Sequence, residues 1–131
     1  MNIAIRYYSR TGNTKVLAEA IAQSVGVPAI SVDADNSAIT EDVDVLFVGG
    51  ALYAYGLDKN LSKFLEGLDA SKIKKAVVFS TSWLSKHSVD LIKKGLSKKG
   101  IKVEDEYCYF KNRPSEDNLK EAEEFAKRMI K

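Results

Sequence analysis

The sequence predicts one α/β domain over residues 1–131: a doubly wound, five-stranded parallel sheet of order 2-1-3-4-5, with helix 2 reduced or missing. Three observations lead there. Strand-like segments alternate with helix-spaced ones along most of the chain. Segments 43–50 and 76–80 are apolar almost throughout, as strands covered on both faces must be. The 131 residues fall within the ~100–200 of a single domain. A chain of this size buries roughly two-thirds of its unfolded surface, enough for a core without disulfides. Right-handed crossovers then leave few topologies.

Residues 2–9 (NIAIRYYS) are β-branched and aromatic and predict the first strand. Residues 13–25 carry Val16, Leu17, Ala20, Ile21 and Val25 at helical spacing, with Gly26 as the stop and Pro28 blocking continuation. Residues 29–33 (AISVD) predict a short second strand. Segment 34–42 (ADNSAITED) is too short and polar for a long crossover helix; at most an irregular turn fits. Residues 43–50 (VDVLFVGG) form the clearest buried strand, closed by two glycines. Residues 58–68 place Leu61, Phe64, Leu65 and Leu68 on one helical face. Residues 76–80 (AVVFS) predict the fourth strand, and 86–99 a basic helix with Val89, Ile92 and Leu96 inward. Residues 103–110 alternate and suit an edge strand. The last helix, 115–130, opens with Ser115 three residues before Asn118, an imperfect capping box.

Composition narrows the function classes. The 45% hydrophobic and 29% charged fractions are globular values. No apolar run reaches the ~18 residues of a membrane span, and the first residues show no signal peptide, so a cytoplasmic location is expected. The lone Cys108 excludes an intramolecular disulfide framework and a multi-cysteine metal site. A net charge of +2 is too small to imply nucleic acid as a partner. That charge is split: residues 1–66 hold 5 Lys+Arg against 8 Asp+Glu, and residues 67–131 hold 15 against 10.

In such sheets ligands bind beyond the carboxyl ends of the strands, where strand order reverses. Here that point lies between strands 1 and 3, beneath loops 9–14, 50–58 and 80–87. The first loop reads Ser9, Arg10, Thr11, Gly12, Asn13, Thr14. It joins a buried strand to a helix start, where free N–H groups and the positive dipole end attract an anion. One capping residue would satisfy the helix. Four short polar side chains around a glycine point to a terminal phosphate held by neutral donors.

Other phosphate motifs fail. The chain has no G-x-x-x-x-G-K-[ST] and no G-x-G-x-x-G after its first strand, which excludes a P-loop NTPase and disfavours a dinucleotide fold. The acidic cluster of a receiver domain is absent from the ends of strands 1 and 3. The C-x5-R of a small tyrosine phosphatase fails too, since four residues separate Cys108 from Arg113.

The second loop carries Leu52, Tyr53, Ala54, Tyr55 and Gly56, and the third Ser80, Thr81, Ser82 and Trp83. Tyrosines and the single tryptophan gathered at one sheet edge suit a flat conjugated ring, since stacked rings gain about 0.5–1.5 kcal/mol beyond area burial. A phosphate at one end and a flat ring at the other describe a nucleotide-like cofactor such as flavin mononucleotide (FMN).

Tyr7-Tyr8-Ser9-Arg10-Thr11-Gly12-Asn13-Thr14, with Ala18 and Ile21 behind it, resembles the phosphate-binding signature of the flavodoxin family. The resemblance extends over essentially the whole chain, and the lack of a long insertion within 102–110 is similar to the short-chain branch. It implies a flavodoxin-like fold and non-covalent FMN. It assigns residues 9–14 to the phosphate and residues 52–56 and 80–83 to the ring, with Gly56 permitting a peptide flip. It implies a one-electron carrier serving redox protein partners, monomeric, with no membrane insertion and no catalytic residue or metal of its own.

Two other readings remain open from the residues. Loop 50–56 also resembles that of flavodoxin-fold quinone reductases or oxidases, and a basic balance suits them. An FMN-free binding or regulatory module is the third. The chain departs from the family in Arg6 within strand 1, expected at a sheet edge or with its head turned outward. It departs also in a 50–56 loop without proline, and in lacking strong acidity. Carboxylates near a flavin disfavour its anionic reduced form, so this near-neutral chain should have a less negative second potential than acidic relatives. His87 reads as a solvated helix-start side chain and Cys108 as a buried strand residue. Lys93, Lys94, Lys98, Lys99 and Lys102 read as a solvated basic face, with docking to an acidic partner as the alternative. Arg113 lies past strand 5, near the cofactor end.

Overall fold

A computed structural model describes residues 1–53, 56–83 and 85–131. Its strands are β1 (Ile3–Tyr7), β2 (Ala29–Ser31), β3 (Val43–Gly50), β4 (Leu52–Tyr53), β5 (Gly56–Leu57), β6 (Ile73–Thr81) and β7 (Val103–Phe110). Its α-helices are α1 (Asn13–Val25), α2 (Lys59–Glu66), α3 (His87–Lys98) and α4 (Glu116–Met129).

The main sheet runs β2-β1-β3-β6-β7 with every pairing parallel. This is the expected 2-1-3-4-5 order, and β7 is indeed an edge strand. Alternate residues feed two cores, because successive strand side chains point to opposite faces. Ile5, Val45, Phe47, Val77 and Phe79 meet Leu17, Ile21, Ala122 and Phe125 of α1 and α4. Leu46, Val48, Ala76 and Val78 meet Leu61, Leu65, Ile92 and Leu96 of α2 and α3.

The differences lie mainly at element ends and in one small addition. β1 and β2 are shorter than expected, whereas β6 begins three residues early, through Lys74 and Lys75, whose polarity hides a strand. The antiparallel pair β4–β5 joins Tyr53 to Gly56 and was not expected, since two residues per strand carry no periodicity. Gly26 ends α1 as foreseen, its N–H donating to the Ala22 carbonyl at 2.8 Å. Ser115 and Asn118 complete a reciprocal capping box at 3.1 Å each way, so asparagine does the work usually given to glutamate or glutamine.

Arg6 corrects the sequence reading. β1 lies between β2 and β3, so Arg6 is at no sheet edge, and its side chain does not reach outward. The residue is 8% exposed. Its Nε donates to the Ser37 carbonyl at 2.6 Å, and one terminal nitrogen donates to the Ile5 carbonyl at 3.1 Å. Segment 32–42 forms turns and bends with no helix. An irregular segment leaves carbonyls that a helix would pair internally, and Arg6 supplies a donor for one of them. Burial lowers the Arg6 pKa from its ordinary value.

Cys108 is buried on the α1/α4 side, and burial pushes its thiol up to about 12. The thiolate is the reactive form. The native protein is therefore expected to resist a disulfide reagent at pH 8 and to react fully once unfolded. Rapid native labelling would contradict this placement.

Candidate functional site

The carboxyl ends of β1, β3 and β6 converge where strand order reverses. Segment 8–12 leads from β1 into α1. Gly12 is the N-cap, with φ +93°, a left-handed conformation in which a side chain is strained. Having no side chain, it makes no cap, and the helical ladder begins with the Val16 N–H donating to the Gly12 carbonyl at 3.0 Å. The earlier amides of the first turn thus point out of the helix without an intrahelical acceptor.

The hydroxyls around this opening are arranged in layers. Ser9 Oγ accepts the Gly12 N–H at 3.0 Å and keeps its own proton to donate. Thr11 is exposed and Asn13 is half-buried. Thr14 is buried and shares a 2.7 Å hydrogen bond with Thr81 Oγ1, tying the start of α1 to the end of β6. Ser80 lies deeper: its Oγ donates to the Gly50 carbonyl at 2.6 Å and lies 2.6 Å from Ser88 Oγ. Ser80 therefore braces the floor, linking β3, β6 and α3.

Ser82 follows β6. Its carbonyl accepts the Tyr109 hydroxyl of β7, while its own Oγ is buried and has no partner among the described residues. A buried hydroxyl without a protein partner is left to an ordered water or a bound ligand. Trp83, next along, is 66% exposed, so an indole face stands open at the rim.

The second loop is latched to the first. Arg10 N–H donates to the Tyr53 hydroxyl at 3.2 Å, and the Arg10 guanidinium lies 3.9 Å from the Tyr53 ring centre. The same guanidinium grips Asp58, with Nε at 2.9 Å and a terminal nitrogen at 2.7 Å from one carboxylate oxygen. Asp58 also caps α2, its other oxygen accepting the Asn60 N–H at 2.7 Å. Burial alone would raise the Asp58 pKa; the Asn60 and Arg10 bonds outweigh it and hold the carboxyl below its ordinary value. Burial likewise raises the Tyr53 pKa. One face of Tyr53 is thus already covered by Arg10. Leu52 is half-buried, and Gly56 has φ +125°. Ala54 and Tyr55, also expected at the ring, lie outside the described residues.

Sequence reasoning missed Asp58 and Tyr109 as parts of this site. Asp58 carried one signal, an acid directly before a helix; its ion pair with a residue 48 positions away carried none. Asp58→Ala is expected to lower stability by about 1–2 kcal/mol, as lost caps do. Because the folded pKa is depressed, this contribution is present above the unfolded carboxylate value of ~3.9 and fades as pH falls through the folded one. Urea melts of both proteins should thus differ at pH 7 and converge in acid; a gap that is constant with pH would contradict the ion-pair role.

The donors at the opening are amides and hydroxyls, Arg10 being engaged by Asp58. This set fits a phosphate held by neutral groups, and the unpaired Ser82 hydroxyl and the open Trp83 face fit a polar-edged ring. His87 stands exposed at the start of α3, and Arg113 is exposed just past β7. The described residues contain no cluster of potential metal ligands.

Known proteins share the fold and the family of this chain. The chain is 28% identical over 137 residues to an uncharacterized protein of Methanocaldococcus jannaschii, covering 91% of each. Its fold matches oxidised flavodoxin 1 of Bacillus cereus with a TM-score of 0.83 at 21% identity, covering 99% of this chain and 97% of that one. It matches a short-chain flavodoxin associated with a PDU bacterial microcompartment at 0.80 and 18%, again covering 99% and 97%. The sequence profile of the flavodoxin domain runs through residues 4–131, from the strand beneath the phosphate-type loop to the last helix, and by that match the chain belongs to the flavodoxin family.

Proposed function

We propose that this protein binds FMN non-covalently and works as a one-electron carrier between redox partners. Membership of a family that generally binds FMN supports the cofactor. The observation that carries the reading is the uncapped start of α1, reached through Gly12 and ringed by Ser9, Thr11 and Asn13 at the switch point. The first-turn amides and hydroxyls bind the phosphate. Thr14 and Thr81 hold that loop against β6. Ser82 donates to the polar edge of the ring, Trp83 shields one ring face from water, and Leu52, Tyr53 and Gly56 contribute the other side. The Arg10–Asp58 pair keeps the two loops at a fixed spacing. Bound FMN supplies the redox chemistry itself, and the protein tunes it.

Purified protein should quench the fluorescence of added FMN at a stoichiometry of about one, as a single phosphate opening requires. Absence of quenching would end the proposal. A redox titration of the complex should then resolve separate one-electron steps. NAD(P)H:quinone turnover by the protein alone should be negligible; steady turnover would favour the reductase reading.

A further inference from the structure

A cavity runs from the β4–β5 pair away from the phosphate-type loop, sharing Leu52, Tyr53 and Gly56 with the ring side of the proposed flavin site. It occupies about 710 Å³ between α2 and α3, within the ~300–1,000 Å³ of ordinary ligand sites. Its apolar lining is Leu52, Leu57, Leu65 and Leu91, and its rim carries Lys94, Lys98 and Lys99 against one carboxylate, Glu66. The basic stretch of α3 is therefore not uniform. Lys93 turns away to β7, where its Nζ donates to the Asp105 carbonyl at 2.8 Å. Lys94, Lys98 and Lys99 face the cavity instead.

Both ends of the cavity are bounded. At one end stands the hairpin, with Tyr53 and Gly56 in the wall. At the other, Lys99 Nζ donates to the Glu66 carbonyl at 2.9 Å, joining the last turns of α2 and α3. A cavity of this volume, part apolar and part cationic, has the size and lining of a small-molecule site. Gly95 keeps the two helices close: an added Cβ there would stand 3.0 Å from Leu65 Cδ1. Glycine inside a helix costs about 1 kcal/mol against alanine, a sacrifice consistent with a shaped cleft.

We infer that this cleft is a binding site for a small amphipathic organic anion, one carboxylate or similar head on an apolar body. The body lies on Leu57, Leu65 and Leu91, and the head is met by Lys94 and Lys98. Apolar contact supplies the bulk of binding, and the lysines select the sign of the head group. The inference goes beyond the flavin reading and does not depend on it.

The probe is dodecanoate below its micelle concentration, titrated calorimetrically into the protein as purified and again after adding FMN. Saturable binding of about one equivalent is expected in both cases, matching one bounded cleft. The double variant Lys94→Glu/Lys98→Glu changes exposed positions and should keep the wild-type melting point while weakening dodecanoate at least tenfold. Leu91→Glu should weaken it similarly; dodecanol, which lacks the charged head, should bind the double lysine variant and wild type alike and lose affinity only to Leu91→Glu. Absent or unsaturable dodecanoate binding would overturn the inference, as would binding that the lysine variants leave unchanged. Poly-glutamate binding without dodecanoate binding would also overturn it, marking a protein-docking face. FMN quenching measured on the same samples reports the flavin site separately.

Discussion

Gly49→Ala is expected to be the most damaging single methyl in this protein. Built on the Gly49 backbone, a Cβ would fall 2.0, 2.3 and 2.4 Å from three ring atoms of Phe79. Phe79 is fully buried and belongs to the core beneath α1 and α4. Its ring cannot swing aside, because interiors are packed like crystals. Overpacking of this severity costs about 3 kcal/mol or more, a drop of roughly 10 °C in melting temperature for a domain of this size. The neighbouring Gly50 provides the contrast. Its Cβ would meet Leu61 Cδ2 at 2.4 Å, the far end of a flexible side chain, so Gly50→Ala should cost less. A double variant, Gly49→Ala/Phe79→Leu, should recover part of the loss, because contacting sites do not add. Thermal melts of the four proteins decide the matter. A Gly49→Ala protein as stable as wild type would show that the glycine pair serves no packing purpose.

Asn13→Asp should have opposite effects on folding and on cofactor binding. The residue opens α1, where a carboxylate favours the helix dipole by about 0.3–1 kcal/mol. The protein without cofactor should therefore melt slightly higher. The same carboxylate faces the site proposed for a phosphate that carries close to two negative charges at pH 7. Unit charges 4 Å apart interact by about 4 kcal/mol at an effective dielectric constant of ~20. FMN affinity should fall about 100-fold or more, since ~1.4 kcal/mol is tenfold. Riboflavin, which lacks the phosphate, should bind both proteins equally. If the polar loop merely caps the helix, stability would rise and FMN affinity would not change.

The sheet was legible because its two central strands leave no other option. Val43–Gly50 and the Ala76–Ser80 part of β6 are apolar on both faces, and only a doubly covered parallel sheet accepts that. The helices were legible through the spacing of Leu61 and Leu65, and of Ile92 and Leu96. What escaped reading was set by contacts distant in sequence. Arg6 looked like an intrusion into a strand; it proves to be a donor for Ser37, 31 positions away. Asp58 looked like the first residue of a helix, with no hint that Arg10 would find it. The loop 9–14 showed its chemistry in residue types alone, because amides at a helix start are local. The cleft between α2 and α3 could not be seen at all, since its walls come from three separate segments.

The buried Arg6 also bears on how the molecule opens. Segment 32–42 is held by a few local bonds, by the Val32 N–H on the Tyr7 carbonyl, by Asn2 Nδ2 on the Asp42 carbonyl and, at its middle, by the grip of Arg6 on the Ser37 carbonyl. Its neighbour β2 is three residues long and pairs with one strand only. Amide hydrogens along this edge should exchange through small openings well below the global unfolding energy, as weakly anchored segments do. The central pair β3 and β6 should exchange only with global unfolding. Arg6 thus acts as a pin for a local folding unit, and the protein has a soft side and a hard side with respect to solvent exchange. The open start of α1 belongs to the hard side, so fluctuations of the edge leave the binding loop in register.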